Sequence, residues 1–239
     1  MTLRVGANSR TASFAEGSRS ARPRFSYTVA EGDLDANGVS IAGSSTFVTL
    51  AGGATIKDAA PTPNDANLAF TDGLGDQAGH RVDGVKPTIP AAPAITSNPG
   101  SDQTYTGGDA VQATVTFSEA VSVTGTPKLA LDVGGTERTA NCALKPGDAT
   151  MLVCSYTLVT ADEDSDGIAI GENKLRLGGG TIKDAVGNNA VLAHDELVAQ
   201  SGHKVAPPAD ITAPAITAAV FTSSPGGDSY TQGNDIEVT

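Results

Sequence analysis

The most regular feature of the chain is an alternation of apolar and polar residues over short stretches. Between residues 111 and 117, apolar side chains occupy every second position, with Gln or Thr between them. A period of two places one set of side chains on a buried face and predicts a β-strand. The same pattern returns in four further stretches, whose apolar positions are Leu129, Leu131 and Val133; Leu152, Cys154, Tyr156 and Leu158; Ile168 and Ile170; and Leu175 and Leu177.

Turn-forming residues separate these stretches. Asn98-Pro99-Gly100, Gly134-Gly135 and Pro146-Gly147 all supply the backbone conformations that tight turns require. Helical periodicity is weak, and one helical turn is expected around residues 194–199. About seven short strands in roughly 120 residues predict an all-β fold of the immunoglobulin-like sandwich type.

The same sequence blocks occur more than once along the chain. Residues 25–41 (FSYTVAEGDLDANGVSI) align without gaps to residues 154–170 (CSYTLVTADEDSDGIAI), and the substitutions keep apolar positions apolar. We interpret this as one unit repeated in tandem, with offsets that vary as loops lengthen or shorten. Three more pairs of segments align, namely 51–59 with 177–185, 78–82 with 201–205, and 97–114 with 223–239.

The alignment divides the chain into three segments. Residues 1–86, the first repeat, correspond to the C-terminal two-thirds of the unit, and residues 87–209, the second repeat, to a complete unit. Residues 210–239, the third repeat, correspond to a linker and the opening strands. Proline-rich linkers separate the segments and stiffen the joints. We therefore predict tandem immunoglobulin-like sandwiches, one complete and two truncated.

The N-terminus is rich in arginine but is interpreted as part of a sheet. Residues 1–24 contain five arginines and one acid, which is typical of a transit segment. However, Val5-Gly6 with Arg10-Thr11-Ala12 matches Val133-Gly134 with Arg138-Thr139-Ala140, deep inside the chain. We therefore predict a strand pair there. No apolar stretch precedes a small-residue cleavage site, so this stretch has no secretory signal pattern.

The amino-acid composition argues against binding to nucleic acid and against membrane-spanning helices. The formal net charge is -12, which leaves no cationic surface for nucleic acid, and no apolar run approaches the roughly 20 residues of a membrane-spanning helix. Aromatic residues make up 4 % of the chain and Trp is absent, so the cores must consist of aliphatic side chains.

Several motifs in fixed order carry a family resemblance. The chain contains T-F-S-E-A-V-x-V-x-G-x-P-x-L from Thr116, D-x-D-x-D-G from Asp162, T-I-K-D-A-x-G-N from Thr181 and D-x-T-A-P from Asp210. Together with Y-T-x-G-D from Tyr105, this order resembles the bacterial Ig-like tandem repeats of large secreted or cell-surface proteins of the adhesin type. The resemblance covers nearly the whole chain. It implies an extracellular or cell-surface setting, since such repeats occur in adhesins, biofilm proteins and enzyme stalks alike.

Alternating acids in one turn of each repeat form a candidate calcium site. Carboxylate oxygens on a tight turn suit a hard cation that takes six to eight oxygen ligands, whereas the alternative is a solvated acidic turn before a strand. The twelfth loop position lacks the bidentate Glu of an EF-hand. The candidate ligands are Asp162, Asp164 and Asp166 in the second repeat and Asp33, Asp35 and Asn37 in the first.

A second acidic group follows from the resemblance. Asp184 and Asn188, with Asp83 and Asp210 in the linkers, are implied to share a cation between neighbouring domains. Turn capping by Asp and Asn is the alternative role. In the first repeat, residues 59–65 stand in place of the A-x-G-N residues of this loop. Whether the loop has the same role in both repeats is therefore in doubt.

The two cysteines, Cys142 and Cys154, are predicted to form a disulfide. Their counterparts in the first repeat are Phe14 and Phe25, so both positions changed together, as expected for cross-strand neighbours. A disulfide implies an oxidising compartment. Two small buried thiols are the alternative.

No catalytic constellation is visible in the sequence. His80 and His203 occupy the same repeat position, which favours a structural role, and no nucleophile–base pair or zinc-ligand spacing occurs. We therefore expect a non-catalytic structural and interaction segment of an extracellular adhesin or stalk, contacting neighbouring repeats and an unidentified extracellular target. The alternative is a spacer module of a secreted enzyme. Because the outer repeats are truncated, we also expect the 239-residue chain either to self-associate by strand addition or to be proteolysed at both ends.

Overall fold

The computed structural model describes residues 1–16, 22–44, 47–208, 213–220, 222–223 and 232–238. Within these ranges every regular element is a β-strand, which confirms the all-β prediction. The chain forms two compact units, Met1–Pro207 and Pro208–Thr239. The predicted boundary at residue 86 lies inside the first unit.

The described residues of the first repeat form six short strands in three antiparallel pairs. Pairing joins consecutive strands, the first with the second, the third with the fourth and the fifth with the sixth. The predicted strand pair at the N-terminus is confirmed, since Leu3 lies opposite Arg10 and Val5 opposite Asn8. The strands are β1 (Thr2–Val5), β2 (Asn8–Thr11), β3 (Ser13–Glu16), β4 (Arg24–Ser26), β5 (Leu34–Asp35) and β6 (Val82–Asp83).

The second repeat contributes ten strands. They are β7 (Ala94–Ile95), β8 (Thr104–Tyr105), β9 (Ala110–Thr116), β10 (Ser122–Thr124), β11 (Lys128–Val133), β12 (Thr136–Lys145), β13 (Asp148–Thr157), β14 (Leu175–Arg176), β15 (Thr181–Lys183) and β16 (Lys204–Val205). Six of them form one antiparallel sheet in the order β14-β11-β12-β13-β9-β7. The remaining strands form an antiparallel β10–β15 pair and a parallel β8–β16 pair.

The alternating residues of the sequence form one face of this sheet. In β9, Val111, Ala113 and Val115 are fully buried, whereas Gln112 and Thr116 are exposed. The side chains of the other layer complete a single cluster of buried residues that includes Tyr105, Ile168, Ile170 and Ile182. The result is a sandwich-like arrangement whose core is mostly aliphatic, with Tyr105 and Phe117 as its buried aromatic members.

The predicted helical turn at residues 194–199 is wrong. Leu197 exchanges two backbone hydrogen bonds with Ile170, at 2.7 and 2.8 Å, and this segment is extended. Pairing with the buried Ile170 segment supplies hydrogen-bond partners that one isolated helical turn could not.

Aligned positions of the two repeats make the same hydrogen bonds. The His203 amide donates to the carbonyl of Gln200 at 2.7 Å, and the His80 amide donates to Gln77 at the same distance. The carbonyl of each histidine then accepts a hydrogen bond from the backbone amide of a buried or half-buried residue, Ile168 at 3.0 Å and Val39 at 2.9 Å. The repeated histidine therefore occupies the same turn twice.

Two hydrogen bonds of the second unit also occur at aligned positions of the second repeat. Thr222 N donates to the carbonyl of Glu237 and Glu237 N donates to Ser223 Oγ, both at 2.9 Å. The aligned atoms between β7 and β9 form the same two bonds, from Thr96 N to the Gln112 carbonyl at 2.8 Å and from Gln112 N to Ser97 Oγ at 2.9 Å.

Candidate metal centre and linker contacts

Two of the three alternating acids of the second repeat, Asp162 and Asp164, are buried and hydrogen-bonded to the protein itself. Asp162 Oδ1 accepts from Arg138 Nε at 2.7 Å and forms an ion pair with the same guanidinium at 2.5 Å. Asp162 Oδ2 accepts from the Tyr156 hydroxyl and from the Val159 amide, each at 2.9 Å. Burial alone raises the pKa of Asp162, but the hydrogen bonds outweigh it and hold the pKa below its ordinary value.

Asp164 connects its own turn to the tip of the hairpin formed by β11 and β12. Its Oδ2 accepts from the Gly134 amide at 2.8 Å, and its Oδ1 accepts from the Gly167 amide at 2.6 Å. Gly134 has a φ of 56°, and a Cβ there would lie 2.1 Å from the Glu163 carbonyl oxygen, so a side chain is excluded. Burial raises the pKa of Asp164, and the nearby Asp166 raises it further against the effect of the two amides.

The first repeat builds the same network with its own residues. Asp33 accepts from Arg10 Nε at 2.7 Å and from the Tyr27 hydroxyl at 2.5 Å. Asp35 accepts from the Gly6 and Gly38 amides, each at 2.7 Å. The repeated acids therefore hold a hairpin tip, a strand and a turn together.

These contacts bear on the six ligands predicted for calcium. Asp33, Asp35, Asp162 and Asp164 direct their oxygens at N–H and O–H donors, while Asn37 and Asp166 are exposed. The three carboxylates of the second-repeat turn do not form a group whose ligand atoms all lie within 4.8 Å of one another. Calcium binding at the two turns stays a prediction, and the hydrogen bonds give the repeated acids a structural role.

The loop after β15 contacts the linker between the repeats. Asp184 Oδ1 accepts from the amides of Val186, Gly187 and Asn188 at 2.7 to 2.9 Å, and Oδ2 accepts from Asn188 Nδ2 at 2.7 Å. Burial raises the pKa of Asp184, but these bonds outweigh it and lower the pKa overall.

The side-chain amide of Asn188 is thereby oriented toward the linker. Asn188 Nδ2 lies 3.1 Å from the carbonyl oxygen of Asp83 and 3.0 Å from that of Val85. Further along the linker, the Val191 amide donates to the Pro87 carbonyl at 2.8 Å. We call Asp184, Asn188 and these linker carbonyls the linker clasp.

A longer loop in the first repeat preserves the Asp–Asn pair of the clasp. Asp58 accepts from the backbone amide and from the side-chain Nδ2 of Asn64, both at 2.9 Å. The partners are six residues apart, against four for Asp184 and Asn188. The replaced segment therefore keeps this part of the loop geometry, which the sequence alignment left in doubt.

Three carboxylates from distant parts of the chain meet beside the clasp. The ligand atoms of Asp83, Glu119 and Asp184 all lie within 4.8 Å of one another, and no other such group of three occurs in the described part of the chain. Burial raises the pKa of Glu119, and the charges of Asp83 and Asp184 raise it further. Carboxylate oxygens in this number are the donors that a hard divalent cation prefers, so the residues fit calcium.

The sequence pointed to two members of this acidic cluster and missed the third. Asp83 and Asp184 belong to the group implied by the resemblance, and the predicted partner Asp210 lies outside the described residues. Glu119 stands in the T-F-S-E-A-V motif, directly after β9. The motif could have drawn attention to Glu119, but the sequence analysis assigned this residue to no site.

The disulfide prediction is confirmed. Cys142 of β12 and Cys154 of β13 lie directly opposite each other and are bonded. In the first repeat Phe14 and Phe25 occupy the same register, with ring centroids 6.0 Å apart in an edge-on arrangement. The two repeats thus fill one cross-strand position either with a covalent bridge or with an aromatic pair.

Two histidines of the second repeat have structural hydrogen bonds. His194 Nε2 accepts from the Lys174 amide at 2.9 Å, and Nδ1 lies 2.8 Å from the Asp195 carbonyl, which can only accept. His203 stacks on Tyr105, whose hydroxyl lies 3.0 Å from Nδ1, and burial lowers the pKa of His203.

Comparisons with known proteins add no relative. No family model, curated protein or solved structure matches the chain. Among the described residues, no helix is long and apolar enough to cross a membrane.

Proposed function

We propose that this chain is a non-catalytic structural segment of an extracellular adhesin or surface stalk, in which the linker clasp fixes one repeat against the next. The observation that carries the proposal is the contact of Asn188 in the second repeat with the carbonyls of Asp83 and Val85, at the C-terminal end of the first repeat. A side chain that is itself held by Asp184 binds this backbone and so limits its rotation.

Contacts along the rest of the linker support the same role. The Ser118 amide donates to the Thr88 carbonyl at 2.8 Å, and the Thr88 amide donates to Ser118 Oγ at 3.0 Å. The linker is therefore bound at successive residues rather than at one point. A joint of this kind transmits force and orientation, which a flexible Gly/Ser linker does not.

The chemistry of the chain supports an extracellular setting. A disulfide persists in oxidising environments, and Cys142–Cys154 lies within the core sheet. The motif order from Tyr105 to Pro214 resembles repeats of secreted and surface proteins, which is the basis for proposing an adhesin or stalk.

The acidic cluster supports calcium as the ion that completes the joint. Asp83 comes from β6 of the first repeat, Glu119 from the segment after β9 and Asp184 from the loop after β15, so one cation would join three segments. A divalent cation would supply charge neutralisation, because three neighbouring carboxylates repel one another.

The proposal is tested by the relative motion of the two repeats. Backbone ¹⁵N relaxation of the native chain should give one common rotational correlation time for the first and second repeats. Asn188→Ala should make the two values diverge, whereas the exposed neighbour Asn189→Ala should not. Independent tumbling of the repeats in the native chain would overturn the proposal.

A further inference from the structure

β16 is the last strand of the second repeat, and it runs parallel to β8, one of the first two strands of the same repeat. Backbone hydrogen bonds join the two strands at two points. The Lys204 amide donates to the Gln103 carbonyl at 3.1 Å. The Ala206 amide donates to the Tyr105 carbonyl at 2.9 Å. The first and last parts of one repeat are thereby bonded side by side.

The opposite edge of β16 is bonded as well. Val205 exchanges two backbone hydrogen bonds with Asp164, at 2.8 and 2.9 Å, and its side chain is buried in the core. Asp164 is itself fixed, because its carboxylate accepts from the amides of Gly134 and Gly167. β16 therefore lies between β8 and the Asp164 segment, and four backbone hydrogen bonds hold residues 204–206.

Side chains add a further connection between β8 and β16. Tyr105 of β8 is buried, and its ring stacks on that of His203, which directly precedes β16, with ring centroids 6.0 Å apart. The Tyr105 hydroxyl lies 3.0 Å from His203 Nδ1 and 2.7 Å from Ser97 Oγ. Sliding of β16 along β8 would break these contacts together with the backbone bonds.

The parallel pairing determines how a stretching force acts on these bonds. A force that pulls the ends of the repeat apart draws β8 toward its N-terminus and β16 toward its C-terminus. Because the strands run in the same direction, the two pulls are opposite along the strand axis and shear one strand past the other. The bonds of a parallel pair are spaced along the strands, so under shear they share the load and break together. The bonds of a strand that is peeled from one end break one after another.

The C-terminal side of the repeat is held more firmly than the N-terminal side. β7, the first strand of the repeat, is an edge strand and pairs only with β9. The chain continues from β16 directly into residues 207–239, so tension toward that side passes through β16 whichever contact of the N-terminal side breaks first. The strand that carries this tension is bonded on both edges.

We propose that the second repeat has a load-bearing function and that β16, sheared against β8, is the strand that keeps the repeat folded under tension. This inference goes beyond the proposed function, which concerns the joint between the repeats. The linker clasp fixes the orientation of the repeats, whereas β16 limits the extension of one repeat. The two roles belong to different residues, so tumbling of the repeats and resistance to force are separate measurements.

The experiment stretches the full 239-residue chain at constant force in optical tweezers, with handles at its two ends. Both cysteines lie in the second repeat, so a reductant identifies the unfolding step of that repeat. The disulfide keeps the residues between Cys142 and Cys154 from extending, and its reduction should lengthen this step by about 4 nm. The lifetime of the folded repeat before the step measures its resistance to force.

Two alanine-to-proline substitutions form a matched pair. Ala206→Pro removes the amide that donates to Tyr105, and Ala190→Pro removes an amide that donates to the Ile182 carbonyl, also at 2.9 Å. Both alanines are half-buried, but only Ala206 adjoins β16. Under force, Ala206→Pro should shorten the lifetime at least about tenfold and Ala190→Pro less than about threefold, because only the first bond breaks in the force-induced transition state. In urea without force, the two variants should lose similar stability.

A change of pulling point tests β16 without altering it. A handle attached through Ser201→Cys, at an exposed residue before β16, removes this strand from the load path. The new thiol is available for the handle, since Cys142 and Cys154 are bonded to each other. At the same force, this attachment should shorten the lifetime at least about tenfold relative to a handle at the C-terminus. Equal lifetimes for the two pulling points, or equal effects of Ala206→Pro and Ala190→Pro under force, would overturn the proposal.

Discussion

The side-chain amide of Asn188 binds the backbone carbonyl of Asp83, which lies 105 residues earlier in the chain. Asp184 holds this amide from the opposite side, so one Asp–Asn pair both shapes its own loop and contacts the preceding linker. The equivalent pair in the first repeat, Asp58 and Asn64, is assembled in the same way by a loop of different length. Loop length can therefore change while the hydrogen-bonding pair is kept.

Removing the amide should weaken the first unit. Asn188→Ala deletes the donor to two carbonyls and leaves Asp184 without one of its partners, which should lower the free energy of unfolding by about 1–3 kcal/mol. Urea denaturation followed by circular dichroism measures this change. Asn189→Ala should have an effect of less than about 0.5 kcal/mol, because Asn189 is exposed. Equal effects of the two substitutions would contradict the role assigned to Asn188.

Reduction of the disulfide should destabilise the second repeat. Closing the short loop between Cys142 and Cys154 contributes about 3 kcal/mol by restricting the unfolded chain, so a reductant should lower the unfolding midpoint. The Cys142→Ala/Cys154→Ala double variant should show no response to the same reductant. Thiol titration of the unfolded, unreduced chain should detect no reactive thiol, and two reactive thiols would show that the bridge is absent in solution.

The Asp162 network should make stability depend on pH. The folded-state pKa of Asp162 lies below its ordinary value, so the carboxylate contributes stability above the unfolded pKa of about 4, and this is lost as the pH falls through the folded pKa. Asp162→Asn should cost roughly 1.5–3 kcal/mol at neutral pH, because it weakens the bonds to Arg138 and Tyr156. The difference from the native chain should shrink below about pH 4.

The exposed neighbour Glu163 provides the control for this prediction. Glu163→Gln removes one negative charge next to Asp162 without touching the network, and its stability difference should be small at neutral pH. Asp164 acts in the opposite direction, because its pKa is raised and its protonation stabilises the folded chain as the pH falls. A difference for Asp162→Asn that stays constant from neutral to acid pH would contradict the assigned ionisation.

Local pattern predicted four strands of the second repeat, β9, β11, β13 and β14, whereas the predicted stretch at residues 168–170 lies outside the named strands. The alternation of Val111, Ala113 and Val115 places these residues on a buried face whatever their partner strand is. The disulfide could be predicted because Cys142 and Cys154 both differ from the first repeat, which reveals a pair without a structure. The turn at residues 194–199 was misjudged because pairing with Ile170 depends on residues distant in sequence.

Local sequence pattern could not predict which groups the buried carboxylates face. Asp162 and Asp164 alternate as metal ligands do, but their partners Arg138 and Gly134 lie 24 and 30 residues earlier in the chain. Glu119 was missed for the same reason, since the fold alone brings it beside Asp83 and Asp184. Sequence shows which oxygens are available, whereas the fold decides whether they face donors or one another.

Calcium should stabilise the chain through the cluster of Asp83, Glu119 and Asp184. For the weak affinities of extracellular sites, with Kd of about 10⁻⁴–10⁻³ M, about 10 mM calcium should add roughly 1.5–3 kcal/mol relative to EDTA and raise the Tm. Glu119→Gln should abolish this rise, because it removes one of the three carboxylates and relieves the repulsion that calcium would offset. Asp166→Asn, in the acidic turn of the second repeat, should keep the full rise if the cluster binds the ion. Loss of the calcium response in Asp166→Asn alone would assign the ion to the turn instead, and equal Tm values of the native chain in calcium and in EDTA would exclude both sites.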